Sequence, residues 1–216
     1  MESIVTVAGA SNSFRLTKAE TVRAAAELSA GADDAFLNQA IDRQSAAVEK
    51  WCRRLLARQA YSETFRDVEV VPALALKHYP IASIASVTVD GTALAADEYE
   101  IDAEAGHLYR LSSDCRIDWY GGKIVIAYRA GYILPAQTTI GGEAHGGVPN
   151  LPHDLEDAVI ELVKMGFYGR ARDPLLRSAE IPGVIAESYT VTAASDGAMP
   201  ARIAAMLAPH RRPIPG

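Results

Sequence analysis

The chain has 216 residues, 49% of them hydrophobic and 22% charged, with a formal net charge of −6 at pH 7. This composition is typical of a globular chain that can bury a core, and the acidic balance argues against a protein that grips nucleic acid on a basic face. The sequence lacks both the roughly 18-residue apolar run of a membrane span and the basic start of a signal peptide, so we expect a cytoplasmic chain.

Helical patterns dominate residues 1–60, although the first fifteen residues show no periodicity. Thr17 and Glu20 have the spacing of a capping box, which predicts the start of a short helix. Asp33 begins a longer helix that we expect to run to about Arg58. Its apolar residues recur on one helical stripe, at Leu37, Ile41, Val48, Trp51 and Leu55.

Residues 61–134 change to a period of two, which indicates short antiparallel strands. Asp90-Gly91 suits the left-handed backbone of a two-residue turn and predicts a hairpin. We expect a second hairpin around Ala105-Gly106. In it, Tyr99 and Ile101 of the first strand should pair with Leu108 and Leu111 of the second. Gly131 ends the strand at 123–129, where we expect a permissive backbone angle rather than a ligand pocket.

The last third combines a loop, a helix, a strand and a tail. Residues 135–150 are rich in Gly and lack periodicity, which predicts a surface loop. A helix over 155–168 carries a single narrow polar stripe, so we expect it to be buried on most of its girth. A strand is expected over 184–192, followed after residue 199 by a short helix and a basic, proline-rich tail.

The predicted fold is therefore of the α+β class, with a helical core, an inserted small antiparallel β-sheet domain and an extended C-terminal tail. We divide the chain into an N-terminal helical segment (1–60), the inserted sheet (61–134), a segment with the Gly-rich loop, core helix and strand (135–199), and the C-terminal helix and docking tail (200–216).

The sequence offers no spacing typical of a catalytic, cofactor or metal site. The Gly-rich loop lacks the Lys and Ser/Thr of a phosphate-binding loop, and no serine sits in a nucleophile elbow. The carboxylates Glu156, Asp157 and Glu161 lie near a helix start, where the helix dipole explains them. The five histidines are scattered, and Cys52 and Cys115 have no metal-type spacing. We therefore expect neither an enzyme nor a cofactor.

Two sets of residues are candidates for contacts with other proteins. A buried helix suits a subunit that packs against neighbours, and the candidate subunit contacts are Leu155, Leu162 and Phe167. The proline-rich tail cannot fold alone and is expected to dock on a partner. Its docking residues would be an apolar anchor (Ile203, Met206, Leu207), two arginines for carboxylates (Arg211, Arg212) and a pre-extended end (Pro213, Ile214, Pro215).

An ordered set of segments resembles the phage head–tail connector, or adaptor, family, which also occurs in gene transfer agents. The segments are LKHYPIASIASVTVDGTAL, GHLYRL, IVIAYRAGY, LPHDLEDAVIELVKMGFYGRARDP, AEIPGV and MPARIAAMLAPHRR. The resemblance covers roughly residues 16–212. Two regions depart from the family pattern, namely Met1–Phe14 and the loop at 138–150.

The resemblance implies a structural subunit of the particle neck, assembled in the host cytoplasm and carried in the virion. Such subunits form a ring, typically dodecameric, beneath the portal protein and above a tail-side connector or stopper protein. Double-stranded DNA passes through without specific binding, and an acidic ring would repel its phosphates. The portal is then the implied partner of the C-terminal tail.

Two other classes of protein compete with the connector. A tail or baseplate module that grips a surface glycan would need exposed aromatic residues clustered on loops. Tyr128 and Tyr132 flank a turn, but most of the aromatic residues alternate within strands, as core residues do. A hydrolase with an unrecognised site would have to rely on the scattered carboxylates.

Overall fold

The computed structural model describes residues 3–29, 31, 33–145, 147–170, 178–181, 185–188 and 199–212, of which 178–181 and 185–188 are described by their backbone only. The chain forms two compact units. The strand unit comprises Met1–Phe14 and Leu55–Leu151, and the helical unit comprises Arg15–Arg54 and Pro152–Gly216. The mixed α+β class is confirmed. The sequential four-part division at residues 60, 134 and 199 stays a prediction.

The strand unit is built from eleven strands within the described residues. They are β1 (Ser3–Gly9), β2 (Gln59–Val71), β3 (Leu74–Ala75), β4 (Ile81–Val89), β5 (Thr92–Ala93), β6 (Tyr99–Asp102), β7 (His107–Ser112), β8 (Cys115–Ile117), β9 (Trp119–Ala130), β10 (Thr139–Ile140) and β11 (Glu143–Ala144). All of their pairings are antiparallel.

Two sheets enclose one core. The larger sheet has the order β1-β2-β9-β4-β5, and the smaller has the order β3-β7-β6 with β8 also paired to β7. Alternate residues of the long strands turn inward, so Tyr61, Phe65, Ile124 and Ile126 pack with residues of the smaller sheet such as Leu108. This shared apolar core holds the two sheets face to face.

Turn chemistry sets the hairpins as expected from the sequence. Asp90 and Gly91 have φ values of 49° and 87°, and the flanking Val89 and Thr92 pair across the turn. In the second hairpin Ile101 faces Leu108, as predicted.

One pairing of the second hairpin differs from the prediction. Tyr99 faces Arg110 instead of Leu111. Because side chains alternate along a strand, Leu111 lies on the opposite face of β7 from Arg110 and Leu108.

The helical unit contains four α-helices and one hairpin in its described part. They are α1 (Ala19–Ala25), α2 (Asp34–Cys52), α3 (His153–Gly169), α4 (Ala201–Leu207) and the strands β12 (Ser178–Ile181) and β13 (Ile185–Ser188). The long helix predicted to reach Arg58 ends at Cys52, because Arg53 adopts a left-handed backbone with φ 58°. Leu55 therefore lies beyond the helix, whereas Leu37, Ile41 and Val48 are buried as expected.

The predicted capping box is wrong. Helix α1 begins at Ala19 with Lys18 at its N-cap, and no side chain caps it. Thr17 is fully buried, and its hydroxyl donates to a carboxylate oxygen of Glu156 on α3, at 2.9 Å. A buried hydroxyl needs a partner, and here a residue 139 positions away supplies it.

The two regions that the sequence did not place in the family pattern are structured and contact each other. Residues 3–9 form the edge strand β1, and the predicted surface loop contains the short hairpin of β10 and β11. The side chain of Asn12 donates to the hydroxyl of Thr138 at 2.8 Å and accepts the N–H groups of Thr138 and Thr139 at 3.0 Å. Ser11 bridges to Ile140, which is buried.

None of the described helices is both long enough and apolar enough to cross a membrane. The strand expected over 184–192 is found in part, as β13, and residues 184 and 189–192 lie outside the described residues.

Candidate assembly surfaces

The C-terminal helix α4 packs within its own helical unit. Ile203 and Leu207, two of the three predicted anchor residues, are buried, and Met206 is half-buried. Their spacing of four residues puts both buried side chains on one face of the helix, which lies against α3. The apolar anchor of the predicted docking tail is therefore already occupied inside the subunit.

Three contacts hold the residues that follow α4. His210 Nε2 lies 2.6 Å from a carboxylate oxygen of Asp154, at the start of α3. The guanidinium of Arg211 lies 4.8 Å above the ring of Trp51, and the N–H of Arg212 donates to the carbonyl of Cys52 at 2.9 Å. The last bond satisfies one of the free carbonyls at the end of α2. The last described residue thus lies at the C-terminal end of α2.

The remaining predicted docking residues divide into two groups. Arg211 is exposed and Arg212 is half-buried, so both retain surface that a carboxylate on a partner could reach. Pro213, Ile214 and Pro215 lie outside the described residues. The proposal that the tail docks on a partner therefore rests on the residues from Arg211 onward.

The buried residues of helix α3 lie mainly in its first half, and its second half keeps exposed apolar surface. Leu155 is fully buried, whereas the other two predicted subunit contacts, Leu162 and Phe167, are half-buried. Two further apolar side chains of this half face solvent, Met165 at 49% and Tyr168 at 58% exposure. The expectation of burial on most of the helix girth therefore holds only for the first half of α3.

A groove of about 220 Å³ lies between α2 and α3. Phe36, Leu162 and Val163 form its apolar lining, while Gln39 and Arg43 lie at its polar margin. The groove and the open half of α3 both leave apolar side chains accessible on the helical unit. Surfaces of this kind are typical of protein contacts.

An aromatic cluster closes the end of α3. The rings of Phe36 and Phe167 meet edge to face with centroids 5.9 Å apart, and Arg170 lies 4.1 Å above Phe167. Arg170 also makes a bidentate ion pair with Asp33, at 2.6 and 2.9 Å, which holds the pKa of Asp33 below its usual value. The hydroxyl of Tyr168 donates to the carbonyl of Ala26 at 3.0 Å. These contacts order the exposed end of the helix.

Some of the carboxylates and histidines that could have formed a chemical site have structural partners in the described part of the chain. Glu156 accepts the hydroxyl of Thr17, and Glu161 pairs with Lys164 at 3.0 Å. His78 stacks on Tyr61 with ring centroids 4.0 Å apart. The described residues contain no group of three or more His, Cys, Asp or Glu side chains placed to hold a metal ion.

The two cysteines and Tyr128 differ in burial. Cys52 is buried and Cys115 is exposed, and neither forms a disulfide. Burial raises the pKa of the Cys52 thiol to about 11. Tyr128 is buried in the sheet core, which disfavours the glycan-binding surface considered above.

Comparison with known proteins agrees with the resemblance found in the sequence. A family model described as head completion protein matches residues 15–213. No match was found among curated proteins.

Solved structures of gene transfer agent particles share the fold over 99% of this chain and 98% of their own chains. A chain from the neck of an empty particle, determined with C6 symmetry, is 16% identical with a TM-score of 0.55. A chain from the neck of a native particle with C12 symmetry is 18% identical with a TM-score of 0.54, and one from a native virion is 18% identical with a TM-score of 0.53. Since the family model spans nearly the whole chain, this protein belongs to the head completion protein family.

Proposed function

We propose that this protein is a structural head–tail connector subunit of a phage or gene transfer agent particle. Copies of it form a ring, typically of twelve, in the particle neck, where the ring joins the capsid to the tail and lets DNA through. The family match over residues 15–213 carries this proposal. The likeness in fold to chains from C6- and C12-symmetric necks supports the ring.

The open half of α3 supports assembly into a larger structure. Met165 and Tyr168 lie exposed beside the groove lined by Phe36 and Leu162. Burying apolar surface of this kind contributes roughly 25 cal/mol for each Å² removed from water, so a neighbouring subunit would gain from covering it. We assign the subunit contact at α3 to Leu162 and Phe167, which keep exposed surface, and not to Leu155.

The charge of the chain supports passage of DNA without binding. The formal net charge is −6. Repeated around a ring, an acidic chain repels phosphates and offers no counterion release to hold the duplex in place. We propose that the portal protein lies on one side of the ring, contacted by the tail from Arg211 onward, and that a tail-side connector or stopper lies on the other.

The decisive experiment removes this protein from cells that produce the particles. We expect DNA-filled heads and finished tails that are not joined, because the connector alone is missing. Electron microscopy of purified particles counts joined and unjoined heads, and supplying the wild-type chain from a second gene copy should restore joining. Joined particles at wild-type numbers in the absence of the chain would show that it is not the connector.

A further inference from the structure

The larger sheet of the strand unit presents two uncharged rows on its outer face. One row runs across the sheet from Ile4 to Thr64, Val125 and Thr88, and the next from Thr6 to Ser62, Ala127 and Ser86. Their neighbours along each strand, such as Tyr61 and Phe65, turn to the core, so the rows face away from it. Ile4 is 63% exposed. An outward sheet face is normally polar, and the polar residues of these two rows are uncharged Thr and Ser.

The charged side chains of the strands themselves that flank these rows on the same face are basic, and at one end the carboxylate of Asp90, in the adjoining turn, accepts the N–H of Lys123. Arg66 faces Lys123 at one end, and Arg129 faces Ser83 at the other. All three basic residues are exposed. Among the described residues, no carboxylate lies within ion-pair distance of Arg66 or Lys123, and the Arg129–Glu143 distance is 4.0 Å. An uncharged centre with charged ends has the composition of an interface core and its rim.

The smaller sheet carries the opposite charge. Its edge strand β6 and the residues beside it form what we call the acidic strip, which consists of Asp97, Glu98, Glu100, Asp102 and Glu104, all exposed. Tyr99 and Ile101, which alternate with these acids, pack against the core. Glu100 pairs with Arg116 at 2.9 Å, whereas Asp97 and Glu104 have no such partner in the described part of the chain.

The uncharged rows lie on the outward face of the larger sheet and the acidic strip lies along the edge strand of the smaller one, so the two surfaces are separate. A ring built by head-to-tail contacts needs two complementary surfaces on each subunit, placed so that one copy's first surface meets the next copy's second. We propose that the uncharged rows and their basic ends receive the acidic strip of a neighbouring copy of this chain. The proposal rests on the ring-forming function proposed above and identifies the contact that closes the ring.

The charges give this contact its direction. Two uncharged faces brought together would place basic ends against basic ends, and two acidic strips would repel each other likewise. Only the unlike pair brings Arg66 and Lys123 towards carboxylates, so the same chemistry that attracts a neighbour excludes the head-to-head arrangement. β1 widens the receiving face, since Ile4 and Thr6 complete its rows.

Reciprocal charge reversal tests the contact in particle-producing cells that lack their own copy of the gene. The face variant carries Arg66→Glu and Lys123→Glu, and it keeps a like-charged cross-strand pair as in the wild type. The strip variant carries Asp97→Lys and Glu104→Lys. The matched control, Glu20→Lys with Asp118→Lys, makes the same change of charge as the strip variant at exposed acids that are part of neither surface.

We expect each variant alone to lower the number of joined particles at least about tenfold, because like charges then meet across the contact. Produced together, the two variants should restore joining, since the reversed face of one copy fits the reversed strip of the other in an alternating ring. The control should join particles at wild-type numbers. Melting temperatures of the purified variants check their folding. If the face variant unfolds, Lys123→Glu alone replaces it, because this single change forms an unlike pair with Arg66 across the strands.

Two results would overturn the inference. One is wild-type joining by either folded variant alone, and the other is failure of the two folded variants to restore joining together. Both results leave the connector function intact as long as cells without the chain make unjoined heads. Joined particles in cells without the chain would instead remove the proposed function itself.

Discussion

Gly131 ends strand β9 at a place where neighbouring backbone leaves no room for a side chain. Its φ is +99°, and a Cβ at this position would lie 2.7 Å from the carbonyl oxygen of Ala57 and 2.8 Å from that of Leu56. The N–H of Gly131 donates to the carbonyl of Pro80 at 2.9 Å, which fixes the position. The permissive backbone angle predicted from the sequence is confirmed, and the close approach of the chain before β2 is the additional finding.

We predict that Gly131→Ala lowers the free energy of unfolding by about 2–4 kcal/mol, because a left-handed backbone and a clash with two carbonyls add together. Urea unfolding measures the change. Gly142→Ala is the matched control, since Gly142 also has a positive φ (+84°) but nothing within 4 Å of an added Cβ. The control should lose about 1 kcal/mol from backbone strain alone. Equal losses in both variants would show that the clash is relieved at little cost.

Glu63 is an example of a residue whose structural role could not be predicted from the sequence. It is fully buried in the sheet and accepts hydrogen bonds from the hydroxyl of Tyr128 at 2.7 Å, the N–H of Lys77 at 3.1 Å and the hydroxyl of Ser3. Burial, together with the nearby carboxylate, raises the pKa of Tyr128. Two of the partners lie 60 and 65 residues away along the chain. No local pattern marks such a network, whereas Asp90-Gly91 could be assigned because a tight turn depends on adjacent residues.

At the scale of the element, α4 is a seven-residue helix held by two buried side chains. Isolated helices of this length are unstable in water, so its packing must supply its stability. Cys52 lies beside the segment that follows, because the N–H of Arg212 donates to its carbonyl. Its thiol stays protonated at pH 8, since its pKa is about 11, and it therefore reports on whether the segment is in place.

We predict that Leu207→Ala lowers the free energy of unfolding by about 2–4 kcal/mol, as truncation of a buried leucine does. We also expect it to open the C-terminal segment often enough for Cys52 to react. Labelling of the native protein with Ellman's reagent at pH 8 should modify one thiol in the wild type, the exposed Cys115, and two in the variant.

Met206→Ala is the control for this prediction, since Met206 is half-buried on the same helix. It should cost less stability and leave Cys52 protected. If the two variants behave alike in unfolding and in labelling, α4 does not hold its segment through Leu207.

Elements were predictable where one stretch of sequence determines them. The stripe of Leu37, Ile41 and Val48 indicates α2 because its buried face repeats with the helical period. The edge strand β1 was not predictable, since its burial alternates weakly and its order comes from pairing with β2. The start of α1 was predicted wrongly because it also depends on a distant partner. The hydroxyl of Thr17 bonds to Glu156 on α3 and does not cap its own helix.

At the scale of the whole molecule, each unit is assembled from two separate stretches of chain. The strand unit takes its first strand from residues 3–9 and all its other strands from residues 59–144. β1 also lies before residues 15–213, which match the family model. It reaches the hairpin of β10 and β11, which lies within those residues, through Ser11 and Asn12. Patterns within one stretch of sequence cannot reveal that two distant stretches join in the same unit.

Two deletions in the C-terminal tail separate the stability of the subunit from its proposed attachment to the portal. Removing residues 200–216 would take away Ile203 and Leu207, which are buried in the helical unit, so we expect that deletion to lower the melting temperature by several degrees or more. Removing only residues 213–216 keeps every contact from α4 to Arg212 and should leave the melting temperature near that of the wild type.

We nevertheless predict that the shorter deletion strongly reduces joining of heads to tails. The lost Pro-Ile-Pro segment would contact the portal weakly in one copy, but a ring presents many copies at once, and avidity multiplies the effect. Differential scanning calorimetry gives the melting temperatures, and electron microscopy counts joined particles. If particles that lack residues 213–216 join at wild-type numbers, the tail does not dock on the portal, and another surface of the ring must make that contact.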